Sequence, residues 1–309
     1  MENQTAKNIL ATVAYYDELD YPLTPFEIWK YLVSFNIKNE TCNNISLADI
    51  LKELEEGKIR RFIQEKNGFY FLRGREILLQ KRLRKNKISM AKIKNLKKII
   101  QFLKFIPFVR MVAITGRLAM KNAERESDWD LLIVLKAGHI WIGRTFVTLF
   151  LHLIGKRRHG KKIRDRVCLN HFITDESLET KIQGLFASGE FSFMLPLFGG
   201  DVFEKFRKAN EWIKKYHPNY ATEEFGCHRL IRDTKISIQM RKVGEYVFGW
   251  NFLENFLRRI EKEKIEKNPL TQKEGGFILA TDEALVFLPE PQGMDMLEKV
   301  YNKLQTLKM

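Results

Sequence analysis

The chain has 309 residues, 45% of them apolar, with 53 Lys and Arg against 38 Asp and Glu and a formal charge of +15. That length and apolar share are ordinary for a globular protein of two or three domains, which excludes a chain unable to bury a core. The basic balance favours acidic partners such as nucleic acid, nucleotides or an anionic surface, and names none of them.

Residues 5–16 have helical periodicity, and Thr24-Pro25-Phe26-Glu27 is a capping box with proline at the first helical position, which predicts a helix over residues 25–33. Ser46 caps a third helix that runs from Leu47 and stops at Gly57. Strand-like residues 59–63 and 69–72 then flank Lys66-Asn67-Gly68, a hairpin signal. Helices followed by a hairpin over residues 1–75 read as a winged helix. A DNA-reading domain of that kind puts its third helix into the major groove. Here that helix carries Asp49, Glu53, Glu55 and Glu56 against Lys52, which DNA phosphates repel. Packing on its own chain or on a protein partner is the expectation, and Arg60 and Arg61 of the wing keep DNA contact open.

Residues 73–104 are densely cationic and opposed only by Glu76, while Ile93, Leu96, Ile99, Ile100 and Leu103 recur at helical spacing. One face of these basic connecting helices, assigned to residues 76–106, is expected to pack while the other stays cationic. That face is either simply solvated or a contact for an RNA or DNA backbone. It lacks the interleaved aromatics that stack on bases.

After Pro107 an apolar run, residues 111–115, closes at Gly116, and a second, residues 129–135, begins beside Asp128 and contains Asp130. Side chains two apart on a strand share a face, so the two acids stand together and need a cation between them. A divalent metal suits oxygen ligands and brings substrate phosphates with it. A glycine closing one strand, a short helix, a turn, and Asp-Trp-Asp opening the next strand resemble the DNA polymerase beta-like nucleotidyltransferase superfamily. The likeness is greatest to its minimal nucleotidyltransferases, through Gly116, Ala119, Ala123, Ser127, Asp128, Asp130 and Leu131.

The resemblance covers about 100 residues and implies a small mixed sheet and Mg²⁺ or Mn²⁺ held by Asp128 and Asp130. The reaction implied moves a nucleoside monophosphate from a nucleoside triphosphate to a hydroxyl. Gly116, Arg117, Lys121 and Ser127 would meet the nucleotide. The sequence departs from the family twice. Arg117 stands where Ser or Gly usually follows the first glycine, and Asn170, on a strand at residues 166–174, stands where a third carboxylate is expected. An amide can ligate a metal but carries no charge and is no general base. Asp165, Asp175 and Glu176 flank that strand as replacements. Asp128, Asp130 and Asn170 are therefore the expected catalytic set.

Between these strands, residues 140–154 predict a core helix, too short for the ~20 apolar residues of a membrane span, and residues 156–162 form a basic loop able to hold triphosphate or acceptor. From residue 179 the chain reads as mostly helical, with the aromatics of residues 229–259 as core, short strands at 277–280 and 284–288, and an amphipathic helix at 294–307. Cys42, Cys168 and Cys227 are widely spaced without C-x-x-C, which reads as a reducing compartment with neither disulfides nor a zinc site. With no evident signal peptide, a cytoplasmic location and no membrane partner are expected.

The fold expected is α+β: a winged helix at 1–75, a nucleotidyltransferase-like domain at 107–200 and a mostly helical domain at 201–309. The function expected is metal-dependent nucleotidyl transfer to an RNA, DNA, protein or other hydroxyl acceptor. A catalytically degenerate fold that binds nucleic acid or regulates a protein, and an antitoxin-like enzyme that nucleotidylates a partner protein, are the alternatives.

Overall fold

The computed structural model describes residues 4–34, 45–220, 230–288 and 293–307; Cys42 and Cys227 lie outside them. Among the described residues it is a mixed α+β structure with eleven α-helices, a two-stranded sheet and a six-stranded mixed sheet.

Helices α1 (Gln4–Asp17), α2 (Pro25–Lys30) and α3 (Leu47–Glu56) precede a hairpin of β1 (Ile63–Lys66) and β2 (Phe69–Leu72). Local chemistry sets these boundaries. Thr24 with Glu27, and Ser46 with Asp49, form reciprocal capping boxes, and Asn67 and Gly68 turn the hairpin with φ of 54° and 78°. Two predicted elements shift. Helix α2 ends at Lys30 rather than residue 33. Residues expected to form a strand from Ile59 instead form a 3₁₀ turn, Lys58–Arg61, whose Ile59 is fully buried under α3. One apolar residue driven into a core does not need a strand to carry it.

Helix α4 (Ile77–Leu103) is a single 27-residue helix. Ile93, Leu96, Ile100 and Leu103 are buried as their spacing predicts. Its cations depart from the expected solvated face, because several reach acids on both sides. Lys81 pairs with Asp20 and Arg82 with Glu27 in the N-terminal unit, while Lys85 pairs with Glu124 and Lys92 with Asp165 beside the central sheet. Arg82, Lys85 and Lys92 are buried. The helix therefore straps the two regions together.

The central sheet has the order β6-β3-β4-β5-β8-β7. Its strands are β3 (Val109–Ile114), β4 (Trp129–Leu135), β5 (Val167–Thr174), β6 (Leu195–Phe198), β7 (Phe277–Ala280) and β8 (Ala284–Leu288). β4 and β5 are parallel, and α6 (Ile140–Leu153) makes the crossover between them. Both faces are covered, so the inner strands read as nearly continuous apolar runs. Trp129, Leu131, Ile133 and Leu135 enter one core, and Leu132 and Val134 enter the other. Asp130 falls on the second face by alternation. There α5 (Gly116–Ala119) follows β3, and α7 (Leu185–Ser192) and α8 (Gly200–Ala209) supply most of the cover.

The C-terminal region departs most from expectation. Residues read as helical around Met194 form strand β6, while β7 and β8 stand at the expected residues and form a hairpin whose β8 pairs with β5, so the sheet is completed by chain from beyond residue 200. The aromatics of α9 (Lys235–Phe248) and α10 (Asn251–Glu266) are not core: Tyr246 is 87% exposed, Phe252 78% and Trp250 68%. Leu257 and Ile265 pack α10 against the core, and polar contacts add to them. Glu254 accepts the Trp141 and Ile142 backbone N–H groups at 3.0 and 2.9 Å, satisfying donors at the start of α6. Helix α11 (Gly293–Thr306) returns to α1, where Lys303 pairs with Asp17. No helix among the described residues is long and apolar enough to cross a membrane.

Candidate active site

The site lies where β3 ends and β4 begins. β3 stops at Ile114, the Thr115 N–H donates to the Asp130 backbone carbonyl at 3.0 Å, and the chain turns at Gly116 with φ +62°. A Cβ built at Gly116 would stand 2.9 Å from Asp130 Oδ2. Glycine is required on two counts: the left-handed backbone disfavours L side chains, and the carboxylate fills the space a methyl would need.

The loop from α5 to β4 is fixed from below. Lys92 of α4 spends its ammonium on the Arg125 carbonyl (3.0 Å), the Ser127 carbonyl (2.9 Å) and Asp165 Oδ1 (2.7 Å). Ser89 accepts the Ala123 N–H at 3.0 Å. The Ser127 hydroxyl donates to the Glu124 carbonyl at 2.8 Å, so this predicted nucleotide-binding residue closes the turn that delivers Asp128. Arg117 is exposed on α5 with Glu124 as its charged neighbour, and Lys121 is partly buried at φ +56°.

Asp128 and Asp130 meet as predicted. Together with Cys168 they offer ligand atoms that all lie within 4.8 Å of one another. Burial, then the charge of Asp128, push the Asp130 carboxyl up to about 6. Arg158, from the predicted basic loop, donates to Asp128 Oδ2 at 2.6 Å and approaches Cys168 Sγ at 3.4 Å. It is the cation the acidic pair calls for within the chain itself.

Asn170 does not stand in register with Asp130. The β5 residue in register with Asp130 is Cys168, and an irregularity between Asp130 and Leu132 on β4 lets two residues of β5, Leu169 and Asn170, pass opposite one. Asn170 Oδ1 is buried without a hydrogen-bond partner. The flanking acids do not replace it: Asp165 is held by Lys92, Asp175 accepts the Ala137 N–H at 2.8 Å, and Glu176 is exposed. Cys168 is a poor substitute for a carboxylate. Burial and the two aspartates push its thiol up to about 12, and a protonated sulfur is a weak ligand for a hard cation.

Sequence reasoning missed Glu190. It sits on α7, partly buried, and burial and then Asp130 push its carboxyl up to about 7 while the Gly116 backbone draws it down. A signal was present, because Glu190 is the only charged residue between Lys181 and Asp201, and a lone acid in an apolar stretch needs a compensating partner.

Comparisons of the chain with protein-family models, curated proteins and solved structures find no significant match.

Proposed function

We propose that the chain is a metal-dependent nucleotidyltransferase that moves a nucleoside monophosphate from a nucleoside triphosphate to a hydroxyl acceptor. The observation that carries this reading is the pairing of Asp128 with Asp130, whose Oδ2 packs where Gly116 has no side chain. Two adjacent, half-buried carboxylates fit a hard divalent cation, and Asp128 and Asp130 would hold Mg²⁺ or Mn²⁺. When bound, the metal supplies charge neutralisation to the triphosphate and to the leaving pyrophosphate.

The chain's own residues do the rest. Gly116 leaves the backbone open to phosphate oxygens. Arg158, half-exposed and able to leave Asp128, neutralises phosphate charge, and Arg117 lies exposed one residue from the same glycine. The acceptor oxygen forms its bond to the α-phosphorus, the bond to the bridging oxygen breaks, pyrophosphate leaves with that electron pair, and the acceptor proton passes to water.

The test is calorimetric titration of ribonucleoside triphosphates with Mg²⁺ and then with EDTA. Metal-dependent binding of at least one is expected, and Asp128→Asn should abolish it while the melting temperature stays close to wild type. Unchanged affinity in that variant would remove Asp128 from the site.

A second reading concerns the acceptor. The N-terminal unit, proposed as a winged helix, carries an acidic third helix, whereas Lys87, Lys94 and Lys98 lie exposed along α4 at spacings that share one helix face. That face favours a nucleic-acid backbone as acceptor or tether.

A further inference from the structure

Helix α9 is mounted with its polar side inward. Arg241 donates to the Lys104 carbonyl, Glu245 pairs with Arg110, and Gly244 has no room for a Cβ beside Pro107. The opposite side is apolar: Ile236, Met240, Val243 and Val247 recur at helical spacing, and each is more than half exposed. The Phe248 ring meets Phe146 of α6 at 5.1 Å, and from Phe146 a stripe continues through Leu149 to Leu153, which is 74% exposed. Trp250 and Phe252 carry the surface onto α10. An apolar surface that faces solvent across three helices marks a place where something docks.

Charge decides what that is. Over residues 140–164 and 235–259, which build and border this surface, the only acids are Glu245 and Glu254. Both turn inward, one to Arg110 and the other to the Trp141 and Ile142 backbone N–H groups. The exposed charges that remain are positive: Lys235, Lys242 and Arg259 on α9 and α10, and Lys161 and Lys162 in the loop after α6, whose His159 ring lies 6.0 Å from His152 of that helix. A second copy of the chain is a poor match, since a two-fold contact sets a patch against itself and would oppose these cations. An anionic bilayer answers both features. Apolar side chains enter the headgroup boundary while the cations around them meet lipid phosphates and carboxylates. Tyr246 and Trp250, with apolar rings and polar edges, suit that boundary.

We infer that the outer faces of α9, the start of α10 and α6 form a docking surface for an anionic lipid bilayer, with Lys161, Lys162, Lys235 and Lys242 among its cations. Lying on a bilayer takes no spanning helix, and the expectation of no membrane partner, framed around a span, gives way to this one. The inference stands apart from the nucleotidyl-transfer reading.

The test is flotation of the full chain, in EDTA, with vesicles of phosphatidylcholine alone and with added phosphatidylserine. Wild type should float with the phosphatidylserine vesicles and far less with the neutral ones. Replacing Lys161 and Lys162 by alanine should weaken that binding about fivefold for each lysine. Leu153→Ser, Trp250→Ser and Phe252→Ser combined should weaken it by at least about tenfold at an unchanged melting temperature. Flotation of this triple variant equal to wild type would overturn the inference, because charge alone would then account for binding. Failure of wild type to float would overturn it as well, and a wild-type dimer broken by the triple variant would then give the face to a second copy. Should the triple variant fail to fold, quenching by brominated phosphatidylcholine is read instead. Wild-type fluorescence should be quenched and Trp250→Phe should lose that quenching, whereas unquenched wild type on bound vesicles would overturn the insertion of this face.

Discussion

At the scale of single residues, Asp130 trades stability for electrostatics. Its folded pKa of about 6 lies above the ordinary 3.8, so the sign follows directly. Below the lower value both states are protonated and there is no penalty. Between the two the unfolded chain gives up its proton first, and stability falls as pH rises; above about 6 the full cost, about 3 kcal/mol, is present. Asp130→Asn should therefore be more stable than wild type in EDTA near neutral pH, by up to about 3 kcal/mol, with the gain vanishing toward about pH 4. Melting curves of both proteins across that range check this, and a gain that did not vary with pH would assign it to packing instead. The sequence made Asp128, Asp130 and Gly116 legible because their relation is local, two residues on a strand and a glycine at a turn. Cys168 and Glu190 were not legible as partners, since one depends on an irregularity of register between β4 and β5 and the other on where a helix from beyond residue 180 docks.

At the scale of elements, boundaries written in nearest-neighbour chemistry were readable and those set by packing were not. The capping boxes at Thr24 and Ser46 and the Asn67-Gly68 turn stand where the residues predict. The 3₁₀ turn at Ile59 and strand β6 are short apolar segments whose form follows from what covers them. Helix α4 combines both cases. Its apolar stripe was evident, yet its cations are ordered by acids far away in sequence. Lys92 is the sharpest instance, since its side chain is 5% exposed and all three ammonium protons find acceptors in the loops that deliver Asp128 and β5. Removing one partner of a buried pair costs roughly 3–5 kcal/mol, and because Asp165 is partly hydrated the cost here is closer to about 2 kcal/mol. Lys92→Met should lower the urea midpoint accordingly and weaken metal-dependent nucleotide binding through the loosened loop. A variant with the wild-type midpoint would mean that the loop holds its shape without α4.

At the scale of the whole molecule the charge of +15 has to be divided between internal work and outward display. Part of it is internal: Arg82, Lys85 and Lys92 tie α4 to both of its neighbours, Arg158 sits on Asp128, and Lys303 ties α11 to α1. Lys87, Lys94 and Lys98 remain on one open face of a rigid 27-residue helix. Fixed spacing of that kind suits the repeating charge of a phosphate backbone more than a small anion. If this face holds a nucleic-acid acceptor, affinity for a single-stranded RNA should fall steeply with salt. Changing the three lysines together to glutamate should reduce the logarithmic slope by about 2, since each phosphate contact on a single strand contributes about 0.7. Fluorescence anisotropy of a labelled oligonucleotide across a salt series measures both quantities. The variant should keep its Mg²⁺-dependent triphosphate binding, because none of the three contacts Asp128, Asp130 or Gly116. An unchanged slope would remove this face of α4 from the search for the acceptor.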